Sequence, residues 1–187
     1  YLGPSFAPFG ILFLITIIRL IRSLGVGEKF VRFVLALLIG AVILRAFAIV
    51  ILKDPSLQFI FNLLSSSMLL GMQVVCAYFM CVNLFLESNP IKEKLWASVC
   101  VYFMLGASFG TLYSMITLVD PGALGVQLSN PAEVYILGLV YSFNVISGLD
   151  PVYDNASETI RMTAVLESIF SMLFMVILIG RLLGSKE

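Results

Sequence analysis

Long runs of apolar residues separated by polar turns dominate the hydropathy pattern of this sequence. A helix needs about 20 mostly apolar residues to cross the hydrocarbon core of a bilayer. Five runs reach that length, and we expect each to form a transmembrane helix. They extend from about Phe6 to Leu24, Phe30 to Leu52, Leu57 to Leu86, Leu95 to Val119 and Ser157 to Leu183. Glycine, proline and aspartate in the segments between them are typical turn residues and support these limits.

A sixth apolar segment, from Pro131 to about Ile146, is shorter. As a helix it would measure roughly 24 Å at about 1.5 Å per residue, which is marginal for a crossing but suits a re-entrant helix. Its start is well marked, because Asn130 is a good N-cap and Pro131 is favoured at the first helical position. Glu133 follows in the first turn, where acidic residues are common. We expect this segment to enter the membrane and leave on the same side.

The distribution of charged residues orients these segments. Lysine and arginine flank the first turn, the third turn and the C-terminus, whereas the stretch between residues 120 and 160 has neither and carries five acidic residues. By the positive-inside rule, the basic segments face the cytoplasm and the acidic stretch lies outside. A full crossing by the sixth segment would place Arg181 and Lys186 outside. The charge bias therefore supports the re-entrant interpretation.

The composition is that of an all-α polytopic membrane protein. Of the 187 residues, 60% are apolar and 12% are charged, and the mean hydropathy is +1.07. A soluble domain has about 45–50% apolar and about 25% charged residues. These values exclude a soluble enzyme, a secreted disulfide scaffold and a disordered tail, and the lipid bilayer is the expected environment. Eleven basic and eleven acidic residues balance each other, so no nucleic-acid partner is expected.

The residue types that carry most enzyme chemistry are scarce. The sequence has no histidine, which removes imidazole-based metal sites and acid–base catalysis. Cys76, Cys81 and Cys100 each lie inside an apolar run and are interpreted as small packing residues. No phosphate-binding loop or nucleophile elbow is present. We therefore expect no enzyme, no catalytic residue, no metal site and no cofactor.

The segment after the re-entrant helix carries the candidate functional residues. Non-helical backbone at membrane depth is tolerated only where it is buried in protein or lines water, so such a segment usually frames a pore or a substrate cavity. The end of the helix carries about half a negative charge, and Asp150 and Asp154 follow it. Together they would concentrate inorganic cations. The alternative is a solvated extracellular turn in which Asn155 and Glu158 cap the last helix.

Three stretches of the second half carry a family resemblance. They are residues 101–124, residues 141–143 (Tyr-Ser-Phe), and the run that begins with Arg161 and continues through Glu167 to Gly184. They resemble, in turn, the outer helix, the pore-helix stretch and the inner helix of small prokaryotic potassium-channel-like proteins. The resemblance covers about Trp96 to Gly184. It implies a pore module in which a re-entrant helix and a filter lie between two transmembrane helices.

The filter of that family reads T-V-G-Y-G-D or close to it, and this chain departs from it. The corresponding residues, which we designate the filter-like loop, are Ser147, Gly148, Leu149, Asp150, Pro151, Val152, Tyr153 and Asp154. The two filter glycines that let carbonyl groups stack toward a pore axis are missing, and Pro151 restricts both itself and Asp150. We therefore expect no K⁺-type carbonyl ladder, and hydroxyl and carboxylate groups remain.

Glu167 and Arg45 lie well inside predicted transmembrane helices, away from the helix ends, where an ionisable group marks a functional site by default. Glu167 is expected to take a hydrogen bond from a neighbouring helix or from the re-entrant helix, and so to brace the latter. Arg45 could pair with Glu167 or with Asp54. A voltage sensor needs several basic residues at three-residue spacing, and the second predicted span offers Arg45 alone.

Small and polar residues predict how the helices pack. Gly106-x-x-x-Gly110 and Gly180-x-x-x-Gly184 each allow a second helix to approach closely. The third predicted span carries a polar stripe that consists of Asn62, Ser65, Ser66, Ser67 and Gln73. Hydrogen bonds between helices explain this stripe more simply than a transport path does.

These patterns divide the chain into a three-helix membrane region, residues 1–94, and a pore-like module, residues 95–187. The leading hypothesis is a cation channel with a filter of non-K⁺ type, assembled as a homotetramer because each chain supplies one re-entrant helix. The expected location is a prokaryotic plasma membrane, with the C-terminus in the cytoplasm. The alternative is a non-conducting scaffold or accessory subunit that joins partner membrane subunits. A secondary transporter, which usually has internal repeats, is a weaker option.

Overall fold

The computed structural model describes residues 28–50, 54–85, 91–126, 131–149 and 155–184. Within these ranges the chain is all-helical, with five helices and no strand. The helices are α1 (Glu28–Val50), α2 (Pro55–Phe85), α3 (Ile91–Val119), α4 (Pro131–Ser147) and α5 (Glu158–Gly184). They coincide within a few residues with the last five predicted helical segments. The first predicted span, Phe6 to Leu24, lies outside the described residues.

Three of these helices are long and apolar enough to cross a membrane. The qualifying stretches are Pro55–Val82, Lys94–Val119 and Glu158–Gly180. Two described apolar stretches are shorter, Arg32–Leu44 in α1 and Glu133–Ser147 in α4. This arrangement confirms the all-α fold class and is compatible with an integral membrane protein.

Local sequence signals set the start of α2 and the end of α3. Pro55 begins α2, where its missing N–H costs nothing, and the carbonyl of Asp54 accepts the first helical hydrogen bond from the Gln58 N–H at 3.0 Å. After α3, the Asp120 Oδ1 accepts a hydrogen bond from the Gly122 N–H at 3.3 Å, which is an Asx-type turn. The turns predicted before α2 and after α3 are confirmed.

The first three described helices pack around one apolar cluster. Its buried members are Val34 of α1, Met72, Cys76 and Met80 of α2, and Ala97, Cys100, Val101 and Met104 of α3. Cys76 and Cys100 are fully part of this cluster, and Cys81 packs against it. The three thiols are free, as expected for packing residues.

A second apolar cluster joins the last part of α3 and the turn after it to the second half of α4 and the start of α5. It consists of Tyr113, Ala123, Leu124, Tyr141, Ala156 and Ile160, all buried. The Ser157 N–H donates to the carbonyl of Ala123 at 2.7 Å. This bond fixes the start of α5 beside the end of α3, and the candidate site lies next to it.

Candidate functional site at the junction of three helices

Helix α4 lies antiparallel on α3 in a regular register. Four α3 residues at four-residue spacing face four α4 residues at the same spacing, so that one ridge of each helix lies along the other. The facing pairs are Ser114 with Val134, Gly110 with Gly138, Gly106 with Ser142, and Tyr102 with Ile146. Three of the pairs include a contact from a hydroxyl to a carbonyl of the other helix, at 3.4, 2.7 and 3.3 Å. The first is the weakest, because the Ser114 hydroxyl lies closer, at 2.8 Å, to the Gly110 carbonyl of its own helix. The register therefore holds α4 along its whole length.

Glycine makes this close contact possible. A Cβ atom at Gly138 would lie 2.5 Å from the Ser114 Oγ and 2.6 Å from the Gly110 carbonyl oxygen. A Cβ atom at Gly110 would lie 2.9 Å from the Leu139 Cα. The prediction that Gly106-x-x-x-Gly110 mediates close helix approach is confirmed. At Gly180, by contrast, no atom of a neighbouring described helix lies within 4 Å of the added Cβ.

Glu167 of α5 lies where the three helices meet, and its side chain is fully buried. Its Oε2 accepts a hydrogen bond from the Tyr113 hydroxyl of α3 at 2.6 Å. Its Oε1 is hydrogen-bonded to the Ser142 hydroxyl of α4. The same hydroxyl lies 2.7 Å from the Gly106 carbonyl oxygen. Glu167 therefore makes the expected hydrogen bonds, one to each neighbouring helix.

Aromatic packing closes the junction on the side of the second apolar cluster. The rings of Tyr113 and Tyr141 meet edge to face, with centroids 4.9 Å apart, and both side chains are buried. Such pairs stabilise by about 0.5–1.5 kcal/mol beyond the area they bury. One helical turn further along α5, the Phe170 ring packs on Phe109 of α3. The polar network is thus enclosed by apolar side chains.

The end of α4 is a capped helix terminus. Gly148 has φ +71°, its N–H donates to the Val145 carbonyl at 3.2 Å, and the Leu149 N–H donates to the Asn144 carbonyl at 3.0 Å. This is a Schellman motif, in which glycine takes the left-handed conformation. The Ser147 hydroxyl donates back into the helix, 2.7 Å from the Phe143 carbonyl oxygen. The carbonyls of Asn144, Val145 and Ile146 at the end of α4 therefore each accept a hydrogen bond.

The filter-like loop is described only at its start. Ser147, Gly148 and Leu149 are exposed at the end of α4. The other five residues, Asp150, Pro151, Val152, Tyr153 and Asp154, lie outside the described residues. The N-cap of α5 is Ser157, whose Oγ accepts from the Ile160 N–H at 3.4 Å. The alternative of a solvated turn gave this role to Asn155, and on that point it is wrong, since the helix starts at Glu158, directly after Ser157.

Helices α4 and α5 both begin at the same end of α3. Val134 at the start of α4 faces Ser114, and Ser157 before α5 bonds to Ala123. The end of α4 lies beside Tyr102. Along α3, the distance from Tyr102 to the end of that helix is about 25 Å, at roughly 1.5 Å per residue. The start of α5 is therefore far from the end of α4 along the direction of α3.

Two residues of the polar stripe on α2, Ser65 and Gln73, make contacts between helices. The Ser65 hydroxyl donates to the Ala41 carbonyl of α1 at 2.9 Å, and the Thr111 hydroxyl of α3 lies 3.0 Å from the Gln73 Oε1. These contacts confirm the packing interpretation for Ser65 and Gln73. Arg45 belongs to α1, and its side chain lies outside the described residues, so its expected pairing stays a prediction.

Sequence reasoning did not identify Tyr113 and Ser142 as partners of Glu167, nor Gly138 as a packing residue. The sequence does carry a signal for Gly138 and Ser142. The glycine pair of α3 continues at the same spacing to Ser114, and Gly138 and Ser142 repeat that spacing on α4. Such a repeat of small residues predicts a helix–helix contact.

Comparison of the chain with protein-family models, with curated proteins and with solved structures finds no match. Among the described residues, no group of three or more Cys, Asp or Glu side chains could hold a metal ion. The functional conclusion therefore depends on the geometry of α3, α4 and α5.

Proposed function

We propose that this chain is an integral membrane protein whose α3–α4–α5 unit is a pore-like module that passes cations in a symmetric homotetramer. The observation that supports it most is the common starting end of α4 and α5. Helix α4 runs back along α3 for 17 residues. Helix α5 then starts near the same end of α3 as α4 does. A membrane-crossing α3 would make α4 a re-entrant helix.

Re-entrant geometry has a physical consequence for the connecting segment. Between the end of α4 and the start of α5 the chain has to return through the depth of the membrane. Backbone polar groups at that depth need protein or water around them. A water-filled pathway on a symmetry axis would supply it, with one filter-like loop from each of four chains.

In this proposal each part of the module has one role. The filter-like loop forms the constriction, and the carboxylates of Asp150 and Asp154 concentrate cations at its mouth. Helix α5 lines the inner vestibule. Glu167 braces α4 by its bond to Ser142. Because the two filter glycines of potassium channels are missing, selectivity differs from the K⁺ type.

The proposed location is a prokaryotic plasma membrane. The basic residues around the first turn, the third turn and the C-terminus face the cytoplasm, and the acidic stretch with the filter-like loop lies outside. The shared starting end of α4 and α5 agrees with this orientation, since it keeps the acidic residues Glu133 and Glu158 on one side.

Flux from liposomes that contain the purified protein tests the proposal. We expect uptake of K⁺, Na⁺ or Ca²⁺ into the vesicles, and a lower rate for the double variant Asp150→Asn, Asp154→Asn. The matched control is Asp120→Asn, which removes an exposed carboxylate in the turn after α3 and keeps the oxygen that Gly122 uses. No flux from a verified tetramer would contradict the proposal.

A second candidate function is a non-conducting scaffold or accessory subunit of a membrane complex. The capped end of α4 favours it, because the carbonyls of Phe143, Asn144, Val145 and Ile146 already have donors and offer little to a cation. In that case the chain co-purifies with partner subunits from native membranes. The double variant of Asp150 and Asp154 would then leave assembly unchanged and flux absent.

A further inference from the structure

The Ser142 hydroxyl has more acceptors around it than it has protons. Its Oγ lies 2.7 Å from the Gly106 carbonyl oxygen and is also in hydrogen-bond contact with the Glu167 Oε1. A serine hydroxyl has one proton to donate and two lone pairs that accept. Both contacts are short, so one proton shared between them satisfies neither fully, and a second proton completes the pair. The Gly106 carbonyl has none, so Glu167 is the remaining source.

An ionised Glu167 leaves one contact without a proton. If Ser142 donates to the carboxylate, its oxygen lone pairs face the Gly106 carbonyl oxygen at 2.7 Å. If it donates to Gly106, its lone pairs face a charged carboxylate oxygen. Both arrangements place two acceptors against each other in a buried site, where unmet hydrogen bonds are costly. The Tyr113 proton resolves neither, because it lies on the other carboxylate oxygen.

We infer that Glu167 is a proton-binding site, held as a neutral carboxylic acid that donates to Ser142. The hydrogen bonds then form one directed chain. Tyr113 donates to Oε2, the acid O–H on Oε1 donates to the Ser142 Oγ, and Ser142 donates to the Gly106 carbonyl. Each of these contacts then contains one proton, and the acid links α3, α4 and α5 without a buried charge.

The surroundings of the site agree with a neutral group. Glu167 is fully buried in a helix that is apolar enough to cross a membrane, where a charged side chain costs several kcal/mol. Among the described side chains, the titratable groups that interact with Glu167 are the tyrosines of α3 and α4, namely Tyr102, Tyr113 and Tyr141. Arg161, on the same helix, is exposed and interacts electrostatically with Tyr141. This inference concerns the helix junction and holds whether or not the chain conducts ions.

Infrared spectroscopy of the purified protein at pH 6 tests the inference. Exposed carboxyl groups are ionised at this pH and show no acid carbonyl band. We expect the wild-type protein to show such a band, Glu167→Gln to lose it, and the control Glu158→Gln, at an exposed position, to keep it. Absence of the band from the wild-type protein would overturn the inference, whatever the variants do.

A second variant assigns the band even if Glu167→Gln does not fold. Tyr113→Phe removes the donor to the Oε2 carbonyl oxygen, so the acid carbonyl band is expected to persist and to move to higher frequency. A wild-type band that neither moves in Tyr113→Phe nor disappears in Glu167→Gln belongs to another group, and that result would also overturn the inference.

Discussion

Hydroxyl groups satisfy the buried carboxyl group at the centre of this protein. Glu167 shares one hydrogen bond with a tyrosine and one with a serine, each on a different helix. Removal of a partner leaves a buried polar atom unsatisfied, which costs about 1–3 kcal/mol, more than the net gain of an average hydrogen bond. The stability of the junction therefore depends on the pairing of individual atoms.

Glu167→Gln is expected to keep the stability of the wild-type protein, and Glu167→Ala to lose it. A glutamine amide donates to Ser142 and accepts from Tyr113 in the same places, whereas alanine leaves a cavity and removes the acceptor of the Tyr113 hydroxyl. We expect Glu167→Ala to lower the free energy of unfolding by about 2–5 kcal/mol. Thermal unfolding in detergent measures both variants. Equal loss in the two variants would contradict the hydrogen-bond pattern.

Tyr113→Phe is expected to destabilise the protein by about 1–3 kcal/mol, because the Glu167 Oε2 then has no donor. Tyr78→Phe is the matched control, since Tyr78 is 66% exposed on α2 and the same oxygen atom is removed. Thermal unfolding of both variants in one detergent is the measurement. A Tyr113→Phe midpoint equal to that of Tyr78→Phe would show that the bond contributes nothing.

At the scale of whole helices, α4 depends on α3 for its position. Small residues bring the two backbones together, and hydroxyl groups of α3 or α4 bond to carbonyls of the facing helix at three levels. Helix α5 is different, since 11% of its apolar stretch is buried within the chain, compared with 50% for α3. The Glu167 contacts therefore hold a helix that otherwise exposes most of its apolar surface.

Gly138→Ala is expected to push α4 away from α3 and to cost about 1–3 kcal/mol, because the new Cβ would meet the Gly110 carbonyl at 2.6 Å. Gly71→Ala is the control, since no atom lies within 4 Å of its added Cβ and alanine is the better helix former. Thermal unfolding of the two variants distinguishes them. A Gly138→Ala variant as stable as Gly71→Ala would refute the close contact.

The end of α4 offers a further test. Gly148→Ala places a Cβ at φ +71°, a left-handed conformation that costs an L-residue about 1–2 kcal/mol. No neighbouring atom lies within 4 Å of that Cβ, so the effect is one of backbone conformation alone. Gly180→Ala, in open space within a helix, is the control. Unfolding midpoints that do not differ would show that the cap does not need glycine.

For the molecule as a whole, the sequence predicted the helices well and their contacts poorly. Helix α2 was expected over Leu57 to Leu86 and forms over Pro55–Phe85, because apolar length and proline are local signals. The partners of Glu167 are 54 and 25 residues away along the chain. Which hydroxyls meet the carboxyl group depends on the register of three packed helices. Hydrophobic spacing does not determine that register.

Thiol labelling in intact vesicles tests the central claim, that α4 enters the membrane and that α5 restarts from the same face. Single cysteines would replace Glu133 at the start of α4, Glu158 at the start of α5 and Lys94 near the start of α3, in a background with alanine at the three native cysteines. A membrane-impermeant reagent is predicted to reach the first two positions from one face and the third from the opposite face. Labelling of positions 133 and 158 from opposite faces would contradict the account.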